Sequence, residues 1–194
     1  MRFKSLILTA LVAISVYGSA NSGPVAVLKT MTKNLTKQLK QKHQKIQHND
    51  AVLLSIIKKE VLPHVATHSM SQYVVGRHYW RQATHAQRKQ FIDRFVKKVV
   101  STYAGPLKSY NNQVIRFLPM RTKVDQNSIA SVRSVIEPGN GPSFNVTYQM
   151  VFIRGKWKIM DYSIDGVSLV GSYRAQFRPV LSQGGLAALN AQLK

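Results

Sequence analysis

Seven carboxylates are all that this 194-residue chain offers for acid–base chemistry: Asp50, Glu60, Asp93, Asp125, Glu137, Asp161 and Asp165. Asp161 and Asp165 close an apolar strand pattern. A buried carboxyl of raised pKa at such a place would serve as general acid or base of a cone-shaped isomerase or dehydratase. The competing account is structural: a strand-end or turn carboxylate bonded to backbone, or paired with Arg174. His64 and His68 have the i, i+4 spacing of a helical metal pair, but Val65 stands where a metalloprotease needs Glu, and no acidic third ligand is close in sequence. Gly166-Val167-Ser168-Leu169-Val170-Gly171 is one residue too long for a nucleophile elbow. There is no cysteine, which removes thiol catalysis, disulfides and Cys-based metal sites together. The chain reads as a binding protein without a cofactor.

Two properties of the whole chain narrow what it binds. Arg2 and Lys4 precede an apolar run from Leu6 to Val16, and Gly18-Ser19-Ala20 follows with small residues. That is an export leader, with cleavage expected after Ala20; the run is shorter than the ~20 residues a membrane span needs. Residues 21–194, 44% hydrophobic across the whole sequence, are enough for one domain. Lys and Arg number 28, giving a formal charge of +21, or +19 once Arg2 and Lys4 are removed. Such a field attracts polyanions. An exported protein meets membrane surfaces first, so anionic lipid is the expected partner and nucleic acid is not.

The elements come in the order helices, strands, short helical end, which argues for α+β. Val27, Leu28, Met31, Leu35 and Leu39 make an apolar stripe on a basic helix over 24–45, and further helices are expected at 50–62 and 67–76. A longer helix, 85–104, starts at a Thr84/Gln87 capping box and carries Phe91, Ile92, Phe95, Val96, Val99, Val100 and Tyr103 on one face. Gly105-Pro106 ends it. Strands follow at 113–118, 128–136, 143–153 and 157–164; in the third, Phe144, Val146, Tyr148, Met150 and Phe152 share a face. Arg154-Gly155-Lys156 is a hairpin turn, and 169–193 forms two short helices broken at Gly184-Gly185. Packing the long helix on a curved sheet puts aromatic side chains on both walls of a cleft: Tyr73, Trp80, Phe91, Phe95, Tyr103 and Tyr110 from the helices, Phe144, Tyr148, Phe152, Trp157 and Tyr162 from the sheet, Tyr173 and Phe177 from the helical end. Such a cleft is a natural apolar cavity.

Two blocks carry a family resemblance. The first is Val75-Gly76-Arg77-His78-Tyr79-Trp80-Arg81-Gln82-Ala83-Thr84, continuing through Gln87-Arg88, Phe91, Phe95 and Tyr103-Ala104. The second is Trp157-Lys158-Ile159-Met160-Asp161, Gly166-Val167-Ser168-Leu169-Val170, Tyr173-Arg174-Ala175-Gln176-Phe177 and Gly184-Gly185-Leu186. In these the chain resembles the MlaC family of periplasmic phospholipid-binding proteins, also described as toluene-tolerance or auxiliary transport components. The match runs in order from about residue 50 to 190; the lysine-rich helix before it has no counterpart motif.

The resemblance implies a nuclear-transport-factor-2-like cone with acyl chains inside. It implies a monomeric shuttle for glycerophospholipid between an outer-membrane lipoprotein–porin complex and an inner-membrane MCE-type ABC transporter, maintaining outer-membrane lipid asymmetry with transient membrane-surface contact. The lipid-lining residues would be Tyr73, Phe91, Phe95, Val99, Tyr103, Tyr110, Phe144, Val146, Tyr148, Met150, Phe152, Ile164, Val167, Leu169, Tyr173 and Phe177, with Arg81, Arg174 and Arg178 for the headgroup. A diacyl lipid withdraws roughly 30 methylenes from water at ~0.8 kcal/mol each, ~24 kcal/mol in all, so only an enclosed apolar site can carry it. Two other readings stay open: the isomerase or dehydratase using Asp161 or Asp165, and a charge-driven polyanion binder whose affinity falls steeply with salt.

Overall fold

The structure is a computed structural model that describes residues 23–120, 124–125, 127–139 and 141–193. The leader expected over residues 1–20 lies outside them. Helices α1 (Pro24–Gln41), α2 (His43–His48), α3 (Asp50–Glu60), α4 (Thr67–Val75), α5 (Arg77–Gln82), α6 (His85–Thr102) and α7 (Ala104–Lys108) precede five strands. The strands are β1 (Val114–Phe117), β2 (Ala130–Glu137), β3 (Phe144–Ile153), β4 (Lys156–Ile164) and β5 (Val167–Ser168), and α8 (Leu169–Gln192) closes the chain. A single 3-10 turn, Leu62–His64, joins α3 to α4. The expected α+β class is what the molecule adopts.

Local chemistry explains the boundaries. Pro24 opens α1 in its first turn, where a missing N–H costs nothing. The Asn49 side chain accepts the Ala51 N–H at 2.9 Å to start α3. At α6 the capping box is complete: the Gln87 N–H donates to Thr84 Oγ1 at 3.2 Å, and the Thr84 N–H donates to Gln87 Oε1 at 2.8 Å. The 24–45 reading joins two helices that the chain separates at Lys42, whose φ of −112° leaves the helical range. Inside α8, Gly185 at φ +60° and ψ −158° breaks the helix where the glycine pair predicts.

The sheet is an antiparallel meander in the order β1-β2-β3-β4-β5. Arg154-Gly155 and Asp165-Gly166 turn its last two hairpins with φ positive at both residues, the requirement of tight two-residue turns. Register places Tyr148 between Val132 and Tyr162, Val146 between Ser134 and Ile164, and Phe144 against Ile136. A bulge between Gln149 and Met150 resets β3 against β4, so Met150 meets Ile159. One face is polar, with Arg116, Ser131, Arg133, Thr147, Gln149 and Lys158; the other is apolar.

Three packed clusters hold the described residues together. Met70, Val74, Trp80, Phe91, Phe95, Tyr173, Phe177 and Leu189 make an all-helical core among α4, α5, α6 and α8. Leu28 and Met31 of α1 cover Ala130, Val132, Met150, Trp157 and Ile159, one end of the apolar sheet face. Leu39, Ile46, Leu53, Ile56 and Ile57 join α1, α2 and α3 to Val100 of α6 and Ala104 of α7. Helices α1, α4 and α8 come close to the sheet; α6 and α7 stand off from it.

Candidate functional site: an apolar recess between sheet and helices

Because α1 covers only one end of the apolar sheet face, the other end is left open. There Ile115, Ile136, Phe144 and Ile164 are all half-buried and belong to none of the three clusters among the described residues. Register puts them side by side around Val146 and Ser134, with Phe117, Tyr148 and Tyr162 completing the surface. Above them, half-buried Val99 and Tyr103 of α6 pack on the helical core, and Val96, Leu107 of α7 and Tyr110 pack on the cluster of α1 to α3. The Tyr103 and Tyr162 rings meet edge to face at 6.2 Å and bridge the two surfaces. This end of the sheet face, with its apolar and aromatic side chains, is the candidate recess.

Its few polar atoms are hydroxyls. Burial pushes the Tyr162 phenol up, reinforced by the nearby Tyr103, Tyr173 and Tyr148 hydroxyls. Burial raises Tyr148 as well. The Tyr173 hydroxyl donates to Thr102 Oγ1 at 3.1 Å. Ser134 is fully buried on the same sheet face.

The structure divides the expected lining in two. Phe144, Val146, Tyr148 and Ile164 share the apolar sheet face and Tyr103 reaches it at Tyr162, while Val99 packs on the helical core and Tyr110 on the cluster of α1 to α3. Met150 and Phe152 share the apolar sheet face but sit at the end beneath α1, where Phe152 packs on Trp157 at 5.3 Å. Phe91, Phe95, Leu169, Tyr173 and Phe177 are at most 6% exposed and interlock in the helical core, Phe91 stacking on Phe95 at 5.4 Å. Their faces of α6 and α8 meet each other instead of the sheet. Tyr73 is 52% exposed on α4, and Val167, at 66%, sits on the short edge strand β5.

The three arginines are exposed on α5 and α8. Arg174 stacks its guanidinium over the exposed Tyr73 ring at 5.0 Å, and Arg178 is exposed farther along α8. Arg81 lines an outward-facing hollow of about 610 Å³ with Arg77, His78 and Gln82 on α5. None is among the side chains placed at the recess. Ile115, Phe117, Ile136 and Leu107 were not anticipated as lining. The first three lie on strands whose alternation is short, and Leu107 lies in a helix hidden behind Gly105-Pro106.

The acid–base candidates have structural partners. Asp161 accepts the Ser168 hydroxyl and the Val170 N–H, the latter at 3.1 Å, and so fixes the start of α8. Asp165 sits in the β4–β5 turn and accepts the Asn145 N–H at 2.9 Å. Asp161→Asn should therefore destabilise the fold by about 1–2 kcal/mol while leaving any bound ligand in place, read by chemical denaturation beside ligand content. His64 lies in the 3-10 turn and His68 in α4, where it packs against Trp80 at 5.2 Å. Among the described residues no three potential ligands gather into a metal site.

An α+β fold in which the packed clusters leave part of an apolar sheet face unclaimed offers a place for an apolar ligand. The model of the family described as MlaC protein matches residues 29–194, and the chain belongs to that family. It is 26% identical to the toluene tolerance protein ttg2D of Pseudomonas putida, over 92% of this chain and 82% of that protein. It is 22% identical to the intermembrane phospholipid transport system binding protein MlaC of Haemophilus influenzae, over 90% and 82%. Its fold matches the phospholipid-binding protein of Ralstonia solanacearum, solved in complex with a phospholipid, with a TM-score of 0.82 and 27% identity over 89% of this chain and 95% of that one.

Proposed function

We propose that this protein is a non-catalytic carrier that binds glycerophospholipid with its acyl chains between the open end of the apolar sheet face and the α6–α7 wall. The observation that carries the reading is the half-buried apolar surface of Ile115, Ile136, Phe144 and Ile164, unclaimed by the packed clusters. The relatives named for phospholipid binding and transport support it. Burial against carbon replaces burial in a bilayer at nearly equal free energy, which lets a lipid both enter and leave. With a leader ending at Ala20 the carrier works in the periplasm as one domain, residues 21–194. It moves lipid between an outer-membrane lipoprotein–porin complex and an inner-membrane MCE-type ABC transporter, in support of outer-membrane lipid asymmetry. No helix among the described residues is long and apolar enough to cross a membrane.

Extraction of protein purified in high salt, followed by lipid mass spectrometry, tests the reading. Stoichiometric glycerophospholipid is the expected result. A folded, lipid-free protein contradicts it and returns attention to the charge-driven alternative.

A further inference from the structure

The amphipathic helix α1 has two faces with different employment. Leu28, Met31 and Leu39 are buried against the sheet and the neighbouring helices. Opposite them Lys29, Lys33, Lys37 and Lys40 are all exposed. At 3.6 residues per turn these four fall within an arc of about 80° and span about 16 Å along the axis. Lys42 and Lys45 continue the charge into α2. No carboxylate precedes Asp50 anywhere in the sequence. The ion pairs among the described residues use Lys59, Lys89, Lys108 and Arg116, and none of the α1 or α2 lysines. The stripe is thus a row of like charges with no internal counterion.

We infer that this lysine stripe is a docking surface for anionic phospholipid bilayers, laying α1 along the membrane plane. The composition of the face selects the partner. Thr30, Asn34 and Gln41 flank the lysines, with no aromatic or large apolar side chain among them. A protein interface is depleted in lysine at its core and enriched in aromatics. Single-stranded nucleic acid needs exposed rings for stacking. A layer of anionic headgroups needs only charge, supplied by flexible point-like ammonium groups. The absence of an apolar wedge makes the contact superficial and reversible, as a shuttle requires. The geometry then connects docking to cargo, a step that rests on the carrier reading. The buried face of α1 covers Met150, Trp157 and Ile159, so a docked helix holds the apolar sheet face about one helix diameter, ~10 Å, from the headgroups.

The test is co-sedimentation of the purified protein with phosphatidylethanolamine–phosphatidylglycerol vesicles, beside neutral phosphatidylethanolamine–phosphatidylcholine vesicles, at low and high salt. The variant carries Lys29→Gln, Lys33→Gln, Lys37→Gln and Lys40→Gln together. A control of equal charge carries Lys58→Gln, Lys97→Gln, Lys98→Gln and Lys156→Gln, all exposed elsewhere. Wild type and control should bind anionic vesicles and release them in high salt. The stripe variant should bind more than a hundredfold more weakly, at roughly fivefold per lysine. Equal losses in variant and control would overturn the stripe in favour of net charge alone. Wild-type indifference to anionic vesicles, or preference for polyglutamate or single-stranded DNA at the same salt, would overturn the membrane as partner. Lipid content is measured on every sample. Its absence throughout would defeat the carrier reading without touching the docking result, and its retention in the stripe variant separates the two surfaces.

Discussion

Tyr148→Asp is expected to empty the protein of lipid. Tyr148 stands in the middle of the apolar sheet face, between Val132 and Tyr162, with the Phe117 ring 6.2 Å away. A carboxylate there must either lose its charge or drag water onto an apolar sheet face. Either route costs several kcal/mol. Each 1.4 kcal/mol is a factor of about ten in occupancy, so co-purifying phospholipid should fall by at least about a hundredfold. The substitution also removes an aromatic ring from the edge of the sheet cluster, and some loss of stability accompanies it. Ile164→Trp separates the two effects. Half-buried Ile164 belongs to none of the packed clusters among the described residues, so a larger ring fills the recess without displacing core. Lipid phosphate per mole should drop sharply in this variant at an unchanged unfolding midpoint. Full loading of both variants would remove this end of the sheet from the site.

Phe91→Ala is expected to give the largest loss of stability and no loss of lipid per folded molecule. Phe91 is fully buried, stacked on Phe95 at 5.4 Å and edge-on to Phe177 at 6.3 Å and Trp80 at 6.5 Å. Truncating a phenylalanine so enclosed leaves a cavity that the rigid helices close only in part, at about 3–5 kcal/mol. Against a typical total of 5–15 kcal/mol this is a large share. Urea denaturation measures it, and lipid analysis of the native fraction completes the test. Normal stability with lost lipid would make Phe91 part of the ligand wall after all.

These two residues also show what a sequence can and cannot disclose. The capping box at Thr84 and Gln87, the alternation of β3 and the Arg154-Gly155 turn are local facts, and local residues determine them. The partner of an apolar stripe is a tertiary fact. Helix α6 has apolar residues enough for more than one neighbour: Phe91 and Phe95 meet α8, Val96 and Val100 meet the cluster of α1 to α3, and the Tyr103 ring meets Tyr162 of β4. Nothing in the spacing says where one neighbour ends and the next begins. Two short helices escaped for related reasons. Arg77–Gln82 follows Gly76 and is held by Trp80 in the helical core, not by its own propensity. Ala104–Lys108 carries Gly105-Pro106 in its first turn, where proline ends the previous helix and is tolerated in the next.

The central claim is that acyl chains lie between the open end of the apolar sheet face and the α6–α7 wall. A phospholipid bearing a photoactivatable diazirine on one acyl chain tests this most directly, once loaded, irradiated and mapped by peptide mass spectrometry. The account predicts crosslinks at Val99, Tyr103, Phe144, Tyr148, Tyr162 and Ile164. Crosslinks confined to the polar sheet face, to Arg77–Gln82 or to the exposed side of α8 would contradict it.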